Sequence, residues 1–213
     1  MKMNSKPIMI YLELTNEKDI APVSLECISA GRKIINESGG TLVGLVVGSE
    51  IEDAVKRIAD YELDQLYTVD TESLQKSTGE LITEVVVQVC TAVKPSMLMM
   101  GNTANAEDLA PRIAVALDTG VVTDCVEVKY DAGELLFVKP VYSCNVMAQF
   151  SILTEPRIIT IRSKAYENPV SLTEQKCKII PFPVDVNRYE SKVELIDRIV
   201  EEDNEGPKLS VAD

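Results

Sequence analysis

Apolar side chains recur along this chain with two periods, and the periods alternate. Ile8 to Leu14 is a short apolar run rich in strand formers and predicts a first strand. Asp19 and Pro22 mark a helix start. Val23, Cys27, Ala30 and Ile34 then fall on one helical face, and Gly39-Gly40 ends the helix because glycine tolerates a left-handed cap. Leu42–Val47 reads as a second strand. Glu50–Asp60 reads as a second helix with Ile51, Val55 and Ile58 inward, and Gln65–Val69 as a third strand. Glu80–Val93 carries Leu81, Val85 and Val89 on one stripe, with Pro95 beyond its end. Met97–Met100 is apolar throughout, as expected of a strand buried on both faces. Gly101 turns the chain into a helix over Ala106–Leu117. Strand alternating with helix in this way predicts an α/β fold, a mostly parallel sheet flanked by helices with right-handed crossovers.

The pattern changes after Gly120. Cys125–Tyr130, Leu135–Val138, Val146–Ile152 and Ile158–Ile161 read as strands. Asp131-Ala132-Gly133 and Thr154-Glu155-Pro156-Arg157 serve as turns. The expectation is a set of added antiparallel strands that extend the sheet in the second half. Cys177–Phe182 is a further possible strand, and 187–200 a strand or a short amphipathic helix. The charged, turn-rich stretch from Glu201 to Pro207 reads as a linker. Lys208–Asp213 looks like a strand cut short, as if the polypeptide were a piece of something longer.

Composition narrows the function. The 213 residues are 46% hydrophobic and 26% charged, ordinary for a globular domain. That length buries roughly 70% of the unfolded surface without needing staples. Lys and Arg number 21 against 34 Asp and Glu, a net charge of −13. So acidic a surface repels phosphate backbones and anionic membranes, so neither a nucleic-acid partner nor membrane insertion is expected. The N-terminus shows no secretory leader and no run reaches the length of a membrane span, which points to the cytoplasm. The 5 cysteines are Cys27, Cys90, Cys125, Cys144 and Cys177, widely spaced and without a C-x-x-C pair. Buried free thiols fit better than disulfides or zinc. Histidine is absent, which removes Ser-His-Asp, Cys-His and His-metal chemistry.

Three segments carry candidate chemistry. Gly44–Ser49 resembles a phosphate loop only superficially, lacking the lysine and the spacing. Gly101–Arg112 is more telling, because it lies where a buried strand opens into a helix, the usual ligand position in open α/β sheets. Glu107 and Asp108 place carboxylates in that first turn. They favour the helix by about 0.3–1 kcal/mol each and would repel a phosphate, and Arg112 has the i, i+4 spacing to pair with Asp108. Lys139–Asn145 is a polar loop with one lysine, one tyrosine and one thiol but no neighbouring base, and reads as structural or as an interface.

These segments carry a family resemblance. Gly101-Asn102-Thr103, Asp108–Ala114, Leu117–Gly120 and Thr123-Asp124-Cys125 resemble, in order, the motif run of the electron transfer flavoprotein alpha subunit, in its N-terminal domain. Lys139-Pro140-Val141-Tyr142 with Asn145 is similar to that family's Arg-Pro-x-Tyr/Phe-Gly-Gly-Asn/Lys loop, with Lys139 in place of arginine and Ser143-Cys144 in place of the glycine pair. Ile161-Arg162-Ser163 is similar to its Val-Arg-x strand, and Pro207–Asp213 resembles the join before its flavin domain. The resemblance implies an adenine nucleotide alpha hydrolase-like fold over 1–200, with 201–213 as linker and the start of a flavin domain. It implies a heterodimer with the beta subunit, exchanging electrons with dehydrogenases through FAD held elsewhere in the intact subunit. No cofactor is expected on this chain alone, and no catalytic, cofactor or metal residue is assigned. Arg112, Tyr142 and Asn145, polar groups near strand-end loops, are the candidate partner contacts. The alternative, a stand-alone nucleotide-binding protein of universal-stress type, would need a late glycine-rich phosphate loop that is not in the sequence. A hydrolase is disfavoured by the missing histidines.

Overall fold

The computed structural model describes residues 6–15, 18–75, 79–131, 133–171 and 177–186, with Val193 and Ile196. The possible element over 187–200, the linker from Glu201, the terminal strand and the boundary at residue 200 therefore lie outside the described residues. The first half follows its hydrophobic periods: β1 (Ile8–Tyr11), α1 (Pro22–Ser38), β2 (Leu42–Gly48), α2 (Glu52–Ile58), β3 (Gln65–Asp70), α3 (Gly79–Val93), β4 (Met97–Gly101) and α4 (Ala104–Ala116). Two helix starts differ from expectation by two residues. α2 begins two residues late, because Glu50 takes a positive φ of 54°. The Asp70 carboxylate then accepts from the Glu50 and Ile51 amides at 2.7 and 3.1 Å. α4 begins two residues early, at Ala104, because Thr103 is its N-cap and accepts from the Ala106 amide at 3.0 Å.

The second half reads β5 (Val121–Cys125), β6 (Glu127–Asp131), β7 (Glu134–Val141), β8 (Val146–Phe150), β9 (Arg157–Ile161) and β10 (Lys178–Pro181). Its strands do not extend the main sheet by hairpins. β6, β7 and β8 form a separate three-stranded antiparallel sheet, and β9 inserts into the seven-stranded parallel sheet, whose order is β10-β3-β2-β1-β4-β9-β5. The reason is burial. Ile158, Ile159 and Ile161 are fully buried, as a central parallel strand requires, whereas β8 is exposed along most of its length. The expected strand over Cys125–Tyr130 is divided between β5 and β6, with Asp124 at a left-handed φ of 64° just before the break.

The sheet is covered on both faces. Ile8, Ile10, Met97 and Met99 join α1 and α2 in one core, which also takes in Val128, Leu135 and Phe137 of the small sheet. Met9, Tyr11, Leu98 and Met100 join α3 and α4 in the other. Gly101 is needed for this closeness, since a Cβ there would lie 2.3 Å from Val23 Cγ1 at the start of α1. β1 and β4 are neighbours at the point where strand order reverses, so their carboxyl ends open the crevice that α/β sheets use for ligands.

Candidate functional site at the strand-order reversal

Two loops meet at that crevice. Leu12–Thr15 leaves β1, and Asn102-Thr103 leaves β4 for α4. The chain leaves β1 through the buried Leu12, and the next residue, Glu13, lies over the start of α4. There its carboxylate accepts from the Thr103 hydroxyl and, at 2.7 Å, from the Asn105 amide side chain. The same Thr103 oxygen caps the Ala106 amide at 3.0 Å. A negative group thus sits at the positive end of the helix and completes its capping, which is the arrangement an anionic ligand would otherwise find there.

Sequence reasoning gives this role to Glu107 and Asp108; the structure keeps Glu107 in the first turn, sets Asp108 beyond it and adds Glu13. With the helix starting at Ala104, Glu107 closes the first turn and accepts from the Asn102 side chain at 3.1 Å. Asp108 lies past the first turn and pairs with Arg112, 2.9 Å away. Pro111 inside α4 lacks the amide that would bond the Glu107 carbonyl. In the sequence Glu13 is the acidic residue within the apolar run Ile8 to Leu14, and only the strand order shows that it faces α4.

Beside Glu13 lies a cleft of about 370 Å³, bordered by Thr15, Ser49, Gln75, Asn105 and Asp108. Burial pushes the Tyr11 phenol up, with the neighbouring Glu13 charge adding to the shift. Glu13 and Asp108 both face the cleft and Lys18 is drawn to the Glu50 carboxylate at 2.7 Å, so the lining does not fit a pyrophosphate. Among the described residues no group of three or more acidic or cysteine side chains could hold a metal ion. None of the described helices is long and apolar enough to cross a membrane.

A polar chain runs from this point along the carboxyl ends of β4, β9 and β5. Thr160 donates its hydroxyl to Asn102 Oδ1 at 2.5 Å and accepts from the Asp124 amide at 2.8 Å. Asp124 receives both Arg162 Nε and Nη2, at 2.8 and 2.6 Å. The Arg162 hydrogen bond holds the Asp124 carboxyl below the usual carboxylate range, and the same contact raises Arg162. Arg162 Nη1 reaches the Cys144 sulfur at 3.8 Å. Lys139 Nζ lies 3.4 Å from the Thr123 hydroxyl.

That chain ends at the β7–β8 turn, where Tyr142, Ser143 and Cys144 have φ values of 51°, 53° and 66°. Ser143 and Cys144 therefore adopt the left-handed backbone that glycine takes without penalty. Asn145 closes the turn, donating its amide and its side chain to the Tyr142 carbonyl at 3.2 and 2.8 Å. Tyr142 is 82% exposed. The sequence-predicted residues thus fall in two places: Tyr142 and Asn145 share this turn, and Arg112 lies on α4.

A family model for the electron transfer flavoprotein domain matches residues 8–187. The chain belongs to that family. It is 28% identical over 197 residues to protein FixB of Clostridium saccharobutylicum, covering 91% of this chain and 58% of that relative. It is 26% identical to the electron transfer flavoprotein subunit alpha of Bacillus subtilis, covering 96% of this chain and 61% of the relative. Over a shorter stretch, 61% of this chain and 35% of the relative, it is 32% identical to the acryloyl-CoA reductase electron transfer subunit beta of Anaerotignum propionicum. The chain thus spans about 58–61% of the length of the first two relatives.

Proposed function

We propose that this chain is the scaffold domain of an electron transfer flavoprotein alpha-type subunit. It pairs with a beta-type subunit in a heterodimer and supports the passage of electrons to or from dehydrogenases through FAD. The flavin is held outside residues 1–200, and those residues form the base it rests on. The chain itself carries no catalytic group, and the complex works in the cytoplasm. The observation that carries this reading is Glu13. Its carboxylate already takes the Thr103 and Asn105 donors at the strand-order reversal, so the domain puts its own negative charge where an anionic ligand would meet the helix end. Arg112, Tyr142 and Asn145 are assigned to the partner-facing surface. Tyr142 projects into solvent, and its turn is internally bonded through Asn145.

The test is direct. The purified chain is titrated with ATP, AMP and FAD by calorimetry, and its visible spectrum is recorded. The scaffold role predicts neither tight nucleotide binding nor stoichiometric yellow flavin. Tight AMP or ATP binding would favour the universal-stress alternative. Flavin bound to this chain alone would overturn the division of labour.

A further inference from the structure

The small sheet has two unlike edges. β6 is its outer strand on one side and carries Glu127, Lys129 and Asp131, with Lys129 and Glu127 paired at 3.3 Å. Charged side chains of this kind are how proteins keep an edge strand from pairing with other chains. β8 is the outer strand on the other side, and Val146-Met147-Ala148-Gln149-Phe150 has no charge and no proline. It lies within Pro140–Thr154, the longest stretch of the sequence without Asp, Glu, Lys or Arg.

Exposed apolar side chains collect along that edge. Val146 is 49% exposed, Met147 53% and Phe150 40%, and Leu153 just beyond reaches 92%. Register places them on both faces. Val146 and Phe150 oppose Val141 and Phe137, while Met147 opposes Pro140 on the other side. A body packed on one face would leave the other face wet. A strand laid along the edge covers both and pairs the outward backbone groups of β8.

The charge of the whole chain disfavours a second copy as the occupant. Two copies would each bring −13 to a contact with no ion pairs of its own. We infer that β8 is the docking edge for a non-identical protein, a beta-type electron transfer flavoprotein subunit, which adds an uncharged extended segment along Val146–Phe150. The inference rests on the proposed function for the partner's identity and goes beyond it in naming the surface and the mode of recognition.

The test uses the full chain co-produced with the beta-type subunit of its own organism, with association and amide exchange both measured. The expected result is a one-to-one complex in which amides 146–150 gain protection. Met147→Lys and Val146→Lys should weaken association by about tenfold or more, while Lys129→Ala on the opposite edge leaves it unchanged. Exchange on the wild-type complex decides the matter even if a variant folds poorly. A complex with no new protection at 146–150 sinks the docking edge and leaves the alpha-type reading standing. Absence of any complex sinks both. A homodimer of the chain alone that protects β8 makes a second copy the occupant and overturns the inference.

Discussion

Asn105, in the first turn of α4, donates its side-chain amide to Glu13 Oε1 at 2.7 Å, tying the end of β1 to the helix that succeeds β4. Glu13 also accepts from Thr103. Glu13→Ala removes a charged acceptor from two polar side chains and from the helix terminus. We expect a loss of about 1–2 kcal/mol. Glu13→Gln, which keeps one acceptor oxygen and loses the charge, should cost less. Urea unfolding of the two variants beside wild type measures both, and equal stability of all three would show that the carboxylate contributes nothing there.

Gly101→Ala should be among the more damaging small substitutions. The added methyl would meet Val23 Cγ1 at 2.3 Å, and Val23 is itself 5% exposed at the first turn of α1. Relief requires moving α1 away from the sheet end. The expected cost is about 1–3 kcal/mol, read as a lower urea midpoint with an unchanged slope.

The Asp124–Arg162 pair sets a pH dependence whose sign comes from its hydrogen bonds. Arg162 lowers the folded-state pKa of Asp124. The stability this contributes is present above the unfolded carboxylate pKa and is lost as pH falls through the folded one. Raising Arg162 has no effect in that range, since arginine stays charged. Arg162→Ala should therefore cost about 1 kcal/mol near neutrality, the upper range for a partly exposed pair. The gap from wild type should close as the solution is acidified below the usual carboxylate range. A gap that stays constant with pH would mean that the loss is one of packing.

Thiol chemistry should separate the cysteines. Cys27, Cys90, Cys125 and Cys177 are buried and Cys144 is exposed. Burial pushes the Cys90 and Cys125 thiols up to about 12 and raises Cys27 and Cys177 as well. Reaction with a thiol reagent near neutral pH should modify Cys144 first, with the others reacting only on unfolding. Cys144→Ser should abolish the fast phase.

What the sequence disclosed depended on how local each signal was. The apolar periods placed every α-helix of the first half, because a buried stripe needs nothing but its own residues to be seen. Ile158–Ile161 was legible as a strand but not as an inserted one, since insertion between β4 and β5 depends on partners far away in the chain. An acidic group at the amino end of α4 was expected of Glu107 and Asp108, the acids nearest the helix start in sequence. The group added there, Glu13, lies 90 residues from Thr103. The β7–β8 turn shows the same limit: its residues were visible, but its link through Arg162 to Asp124 and Thr160 arises only when β5 and β9 pair.

The last strand should be the first part of the described domain to open. Among the described residues β10 pairs with β3 alone, at the outer edge of the main sheet, and Ile179 is 43% exposed. Phe182 and Asp185, just past its carboxyl end, hold it in place. The Phe182 amide donates to the Thr68 carbonyl at 2.8 Å, and its ring meets Tyr67 edge-on at 6.3 Å. Gln88 of α3 grips the backbone of Asp185 from both sides, accepting from its amide and donating to its carbonyl, each at 3.1 Å. Gln88→Ala removes both bonds and leaves the α3 stripe of Val85, Val86 and Val89 in place. Amide exchange along 178–186 should then quicken severalfold, as expected from losing about 1 kcal/mol of local stability, while β1 and β4 keep wild-type protection. Equal acceleration in β1 would mean that β10 opens only with the whole domain, and that the Gln88 clamp is part of the global fold.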